Sequence, residues 1–146
     1  MIIPVTKENE KQWAELCVAL WPDGHTTDSF IRERCDGGLA NEFLFILNNE
    51  PVAFISLSIR HDYVEGTDSS PVGYIEGIYV KPEHRKHGIA RQLVEFGKRW
   101  SAEKGCSEYA SDCLIENEDS RKFHNKVGFK EANVCVHFTM SINSHP

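Results

Sequence analysis

Nothing in this sequence pairs its cysteines. There are five, Cys17, Cys35, Cys106, Cys113 and Cys135, with no Cys-x-x-Cys and no Cys/His block at zinc spacing. A disulfide framework and a structural zinc site therefore have no support. Reduced, mostly buried thiols are expected, as in a cytoplasmic protein. Long apolar runs are missing as well. No stretch approaches the ~18 apolar residues of a membrane span, and the N-terminal MIIPVTKENE lacks the apolar run of a signal peptide. Positive charge is scarce: 16 Lys and Arg against 22 Asp and Glu give a formal charge of -6. That sign argues against nucleic acid as a partner. It suits a cationic ligand, and equally a soluble surface with no ligand at all. Repeats, low-complexity tracts and linkers are absent too, so the 146 residues read as a single domain over 1–146, large enough for its own core.

What is present is an ordinary alternation of strand and helix signals. Residues 2–5 read as a short strand, with Pro4 placing it at an edge. Thr6 is the expected N-cap of a helix in which Trp13, Leu16, Cys17 and Leu20 share a face. It stops at Trp21-Pro22-Asp23-Gly24. A short helix over about 27–36 is expected next, capped by Thr27 or Asp28 and ended by Gly37-Gly38. Phe43–Leu47 and Val52–Arg60 read as two strands joined by a turn at Asn48-Asn49-Glu50-Pro51. A polar loop over 61–71 leads to the strand YIEGIYV, a basic turn, and a helix with Ile89, Leu93, Phe96 and Trp100 at helical spacing. Gly105 closes that helix. Trp13, Phe96 and Trp100 are most simply core. A strand at 107–113, a helix over about 119–127, a late strand at Val134–Met140 and a frayed tail SINSHP complete the order. The implied class is an α/β or α+β sheet with helices on its faces.

The strand, turn and helix from Tyr74 to Gly105 carry the chemistry. Small residues at Gly88 and Ala90 precede a helix N-terminus, whose free amides and dipole favour an anion. Arg85, Lys86 and Arg91 surround the same point. A solvated βα loop explains the turn equally well. Neither Gly-x-x-x-x-Gly-Lys-Ser/Thr nor Gly-x-Gly-x-x-Gly with an acid about 20 residues on is present, so a P-loop nucleotide site and a nicotinamide cofactor are unsupported.

The turn Arg85-Lys86-His87-Gly88-Ile89-Ala90, followed by the block Asn117, Ser120, Phe123, His124 and Gly128-Phe129, resembles the acetyl-coenzyme A motif of the GNAT acyltransferases. Leu20-Trp21-Pro22, the run from Ser58 to Gly66, Asp68-Ser69-Ser70-Pro71-Val72, Glu76-Gly77-Ile78 and Ala110-Ser111-Asp112 sharpen this. Over nearly the whole chain they resemble the bacterial aminoglycoside 6′-N-acetyltransferases. The resemblance implies a mixed, largely antiparallel twisted sheet flanked by helices. It also implies acetyl-CoA as co-substrate without a metal, transfer to the 6′-amine of antibiotics such as tobramycin and kanamycin, and a homodimer formed by exchange of late strands.

Acetyl transfer to an amine requires a held and polarised thioester, a deprotonated ammonium and a stabilised thiolate. By resemblance, the backbone of Ile78, Tyr79 and Val80 pairs with the pantetheine arm as an added strand, and the Val80 amide donates to the thioester carbonyl. The stretch Lys86, His87, Gly88, Ile89, Ala90 and Arg91 holds the pyrophosphate, and Asn117 bonds the pantetheine. Trp21, Tyr63, Glu76 and Asp112 line the sugar site, with Glu76 accepting the ammonium proton directly or through water. Asp62, Glu65, Asp68 and Glu116 add negative field. His25 either approaches the antibiotic or is a solvated loop histidine. His124 stands where many GNAT enzymes place a tyrosine acid, so it either protonates the thiolate or packs within its helix. Asn133 replaces an acid common in related enzymes; it can still bond a hydroxyl or amine, without the charge. No cysteine lies beside an evident base, which favours direct transfer over an acetyl-cysteine relay. Two rivals are an acetyltransferase for a polyamine or a protein N-terminus, and a non-catalytic acetyl-CoA sensor.

Overall fold

The computed structural model describes residues 1–37 and 41–143. Gly38, expected to help stop the second helix, and the last three residues of the tail lie outside that range. Contacts divide the chain into two compact units, Met1–Asp112 and Cys113–Pro146.

The first unit is a five-stranded sheet in the order β1 (Ile2–Pro4), β2 (Asn41–Leu47), β3 (Glu50–Arg60), β4 (Val72–Val80), β5 (Glu108–Ala110). The first four strands are antiparallel neighbours, and β4 pairs with β5 in parallel. Three helices complete it: α1 (Glu10–Leu20), α2 (Thr27–Cys35) and α3 (Ile89–Glu103). β2 turns into β3 at Asn48 and Asn49, whose φ values of 52° and 65° are the left-handed pair that a tight hairpin demands and asparagine tolerates.

Residues 51–57 of β3 are all buried, as expected for a strand covered on both faces. Adjacent positions show the two sides. Leu44 and Phe54, paired across β2 and β3, join Trp13, Leu16, Cys17 and Phe30 in the cluster under α1 and α2. Their neighbour Phe43 turns the other way, onto Phe96 and Trp100 of α3 at ring-centroid distances of 4.8 and 6.3 Å. Close approach of α3 to the sheet depends on Gly97. A Cβ there would lie 2.3 Å from the Tyr109 hydroxyl, which donates to the Val94 carbonyl at 3.1 Å.

Among the described residues one carboxylate enters the core. Glu42 is 8% exposed; its Oε1 accepts from Trp13 Nε1 at 2.9 Å and its Oε2 from the Ser56 hydroxyl. Burial pushes its pKa up to about 7, against the opposing pull of those two bonds and of Arg34. Buried polar groups are kept only when partnered, and Glu42 has a partner on each oxygen.

The second unit, described to residue 143, contains α4 (Glu118–Lys126). Asn117 caps it, its Oδ1 accepting from Ser120 N at 3.1 Å. Gly128 at φ 109° and the 2.9 Å bond from Phe129 N to His124 O close its C-terminus, the pattern of a left-handed glycine stop.

Several expectations shift. α1 begins after Asn9, because Asn9 Oδ1 accepts from Thr6 N at 2.7 Å and folds a separate turn first. Thr26 caps α2, exchanging backbone and side-chain bonds with Ser29. The strand expected at 107–113 shrinks to three residues. The late strand at Val134–Met140 is not formed; that segment has no ladder partner among the described residues. Nor are the thiols mostly buried: Cys17 is, but Cys35, Cys113 and Cys135 are exposed.

Candidate active site

The ladder between β3 and β4 slips by one residue. Ser56 pairs with Gly77 and Leu57 with Ile75, which leaves Glu76 as the extra residue of a β-bulge. A bulge removes a residue from the alternation of faces and re-aims its side chain. On the other side of β4 only Val72, Gly73 and Tyr74 pair with β5. From Ile75 to Val80 that edge has no strand partner among the described residues, so its backbone groups, apart from the Val80 carbonyl that Arg85 engages, are available to an added strand. Ile78, Tyr79 and Val80 lie there, held from behind by Ile55, Phe54 and Ala53. Glu76 therefore stands where β4 parts from β5.

The carboxylate of Glu76 is already engaged. Its Oε2 accepts from the Ser58 hydroxyl and from Arg60 Nε at 3.0 Å, and its Oε1 from Arg60 Nη2 at 2.7 Å. The guanidinium lies over the Tyr74 ring, 3.5 Å from its centroid, and the Tyr74 hydroxyl donates to Asp112 Oδ2 at 2.5 Å. The bond to Glu76 raises the Arg60 pKa, so it remains a cation. Burial first and the bond to Asp112 second push the Tyr74 phenol well above its ordinary value, which keeps it a donor. Glu76 and Asp112 thus belong to one connected set.

Trp21 covers the adjoining residue. A Cβ on Gly77 would fall 2.3 Å from Trp21 Cη2, so only glycine lets the indole lie against β4 there. The indole is fixed by Phe30 and Phe54, each 5.9 Å away between ring centroids. His25 stacks on Phe30 at 4.8 Å, which brings it into the same aromatic group. Tyr63 sits on the 61–71 loop and is 74% exposed, beside the buried Val64. The loop is tied to β5 by Glu108, which accepts from Asp68 N at 2.9 Å and from the Ser69 hydroxyl.

After β4 the chain makes a 3₁₀ turn at Pro82–His84. Lys86 and Gly88 then adopt φ values of 66° and 81°. Gly88 is the N-cap of α3, and no side chain caps that helix. With no side chain capping its first turn, the N-terminus of α3 at Ile89 and Ala90 has the geometry that takes a phosphate. A Cβ at Gly88 would meet nothing within 4 Å; the glycine is required by its backbone conformation, not by clearance within the protein. Lys86, His87 and Arg91 are exposed around it, while the Ile89 side chain is buried. Arg85 does not join them: its Nε donates to the Val80 carbonyl at 2.8 Å and fastens the turn to the strand.

In the second unit, Asn117 spends its Oδ1 on the cap of α4, which leaves the amide nitrogen as the donor it can present. His124 Nδ1 lies 2.7 Å from the Ser120 carbonyl. A carbonyl only accepts, so Nδ1 carries the proton, and donation from Nε2 would require the imidazolium. Asn133 is exposed.

Sequence alone assigns no site role to Ser58, Arg60 or Tyr74, although Ser58 and Arg60 lie in a run that carries the resemblance. The period-two spacing of Ser58 and Arg60 on β3 puts them on one face, but their meeting with Glu76 depends on the bulge. Among the described residues there is no cluster of three or more metal-ligating side chains and no helix long and apolar enough to cross a membrane.

Residues 8–129 match the acetyltransferase (GNAT) family. An aminoglycoside N(6′)-acetyltransferase type 1 of Acinetobacter haemolyticus is 34% identical over 97% of this chain and 99% of its own length. One from Salmonella typhimurium is 40% identical over 86% and 88%. The crystal structure of an aminoglycoside 6′-N-acetyltransferase from A. haemolyticus superposes with a TM-score of 0.89 at 34% identity, covering 98% of this chain and 99% of that one. AAC(6′)-Iy in complex with a bisubstrate analogue, CoA-S-monomethyl-acetylneamine, superposes with a TM-score of 0.90 at 36% identity, covering 97% of each chain. With its bulged fourth strand, its open edge beside β5 and its uncapped helix N-terminus, this chain belongs to the GNAT acetyltransferase family.

Proposed function

We propose that this protein acetylates the 6′-amine of aminoglycosides, by direct transfer from acetyl-CoA within a ternary complex. The carrying observation is Glu76, set on a bulge at the point where β4 leaves β5. There a carboxylate can face an amine while the neighbouring backbone faces a thioester. Acetyl-CoA supplies the activated acyl group. Ile78, Tyr79 and Val80 present main-chain groups along the open edge for the pantetheine arm, and the Val80 amide polarises the thioester carbonyl. The α3 amides, with Lys86, His87 and Arg91, take the pyrophosphate, and the amide nitrogen of Asn117 donates to the pantetheine.

Glu76 receives the ammonium proton, directly or through a water, and Asp112 anchors a second amine of the acceptor. The freed amine bonds to the thioester carbon, the C–S bond breaks, and the departing thiolate takes up the second proton shed by the nitrogen. Trp21 and Tyr63 offer aromatic faces to the sugar rings, and His25 and Asn133 are further contacts for the acceptor. Direct transfer is favoured by the state of the thiols. Burial pushes Cys17 far above its ordinary pKa, so the one buried thiol among the described cysteines is a poor nucleophile.

The chain acts as one acetyltransferase domain in the cytoplasm, where its exposed thiols remain reduced. We also assign it a homodimer. Val134, Val136, Phe138, Met140 and Ile142 alternate along the C-terminal segment and are 67–95% exposed. Such a face needs cover, and β5, at the sheet edge, offers ladder positions to a second copy. A monomer in sedimentation at micromolar concentration would remove that assignment.

The function is tested by CoA thiol release with aminoglycosides bearing a 6′-amine or a 6′-hydroxyl, beside polyamines and peptides. Turnover is expected with the 6′-amines alone. Turnover of peptides with none of any 6′-amino aminoglycoside would overturn the reading, and binding without thiol release would favour the sensor. Glu76→Gln should lower kcat/KM by roughly 10²- to 10⁴-fold, the usual worth of a positioned base, with acetyl-CoA affinity retained.

A further inference from the structure

Under the reading above, Glu76 and Asp112 receive the acceptor's amines, yet both are partnered before any acceptor arrives. A carboxylate has about four lone-pair positions. On Glu76 three are taken, one by Ser58 and two by the forked guanidinium of Arg60. The same guanidinium is stacked at 3.5 Å on Tyr74, whose hydroxyl occupies Asp112. A planar cation held by a fork on one side and a ring face on the other is well fixed. It nevertheless remains at the surface, its side chain 41% exposed, so it has solvent into which to move. A purely structural ion pair has no reason to sit on the carboxylate proposed to face the acceptor.

We infer that Arg60 is a place-holder for the acceptor's ammonium: it occupies Glu76 in the free enzyme and must yield or share that carboxylate when a cationic acceptor binds, and so sets acceptor affinity. Binding then exchanges one cation for another at Glu76. The acceptor gains less there than it would from a bare carboxylate, and added salt weakens the exchange less than it would a simple ion pair. A weak cation that meets only Glu76 has to displace the fork unaided. One carrying several amines can recover the cost at Asp112.

Arg60→Gln keeps a polar side chain without the charge. Thiol-release kinetics with tobramycin at about 50 and 300 mM salt should give a KM about ten-fold below wild type at the lower salt, equivalent to roughly 1.4 kcal/mol. The difference should narrow at the higher salt, and acetyl-CoA affinity should be unchanged. Arg99→Gln removes the same charge from the exposed face of α3 and should leave KM where it is. An Arg60→Gln KM equal to or above wild type overturns the inference. So does an equal fall in Arg99→Gln, which would mark a general field effect. The underlying reading fails separately: if Glu76→Gln leaves both kcat and KM intact, Glu76 does not meet the acceptor. If Glu76→Gln impairs turnover while Arg60→Gln does not lower KM, the role of Arg60 alone is refuted.

Discussion

Glu42→Gln should stabilise this protein at alkaline pH and leave its stability near pH 4.5 almost unchanged. Glu42 is buried between α1 and the sheet, with Trp13 Nε1 on one oxygen and the Ser56 hydroxyl on the other. Desolvation holds its folded pKa at about 7, against an ordinary 4.5. Below 4.5 the group is protonated in both folded and unfolded chains and contributes no pH dependence. Between 4.5 and 7 the unfolded chain releases the proton while the folded chain keeps it, so stability falls as pH rises. Above 7 both forms are ionised and the penalty is complete. At 1.36 kcal/mol per pH unit, a rise from 4.5 to about 7 amounts to roughly 3 kcal/mol. Glutamine can keep both contacts, accepting from Trp13 through Oε1 and donating to Ser56 through Nε2, without a charge to desolvate. Urea unfolding of both proteins at fixed concentration, at about pH 5 and pH 8, isolates the effect, because other titrating groups cancel in the difference. The variant should lead by about 3 kcal/mol at the higher pH and by much less at the lower. Parallel pH profiles, or a wild type that gains on the variant as pH rises, would refute the argument.

Gly77→Ala places a methyl group 2.3 Å from Trp21 Cη2, so the indole must leave β4. Acceptor KM should rise on the order of ten-fold, and stability should fall by roughly 1–3 kcal/mol, while calorimetric acetyl-CoA binding is preserved. Tyr74→Phe deletes the donor to Asp112 but keeps the ring under Arg60. It should cost about 1 kcal/mol in urea unfolding and raise KM for acceptors with several amines more than for a monoamine. Gly88→Ala forces a side chain into φ 81° at the N-cap of α3. It should cost roughly 1–2 kcal/mol and weaken acetyl-CoA binding measured by calorimetry; unchanged affinity would show that this turn does not hold the pyrophosphate.

The parts of the fold that sequence revealed are those decided locally. Two asparagines able to adopt positive φ mark the β2–β3 hairpin, and the spacing of Ile89, Leu93, Phe96 and Trp100 marks α3. Thr26 and Ser29 specify a helix start within four residues, so the expected cap at Thr27 or Asp28 lies one or two residues too late. The failures lie where the outcome depends on a partner. Val134–Met140 has every local preference of a strand, but a strand exists only on a ladder. Cys35 and Cys113 follow their exposed surroundings rather than the average habit of cysteine. In the candidate site, Glu76 could be singled out by motif. Its union with Arg60, Tyr74 and Asp112 could not, because it joins β3, β4 and the second residue after β5 through a register slip that leaves no mark in composition or spacing.

That slip orders the whole site. Gly73 lies under Ser101 of α3, so Tyr74 points to the opposite face of the sheet. Strict alternation would return Gly77 to the α3 side beside Gly73. Instead Gly77 meets Trp21 and Tyr79 packs on the α1 and α2 cluster. The extra residue at Glu76 has moved everything after it by one face. Tyr74, Gly77 and Tyr79 consequently share the side that carries Trp21, and Ile78 falls to the other. One inserted residue thus puts the aromatic wall and the polar Arg60–Tyr74–Asp112 set on the same face, with the carboxylate of Glu76 between them. The backbone edge that β5 abandons beyond Tyr74 begins at that same bulge. The acceptor's surroundings and the opening for a thioester arm are therefore both consequences of a single irregularity in β4. A shift of register there would dismantle both at once.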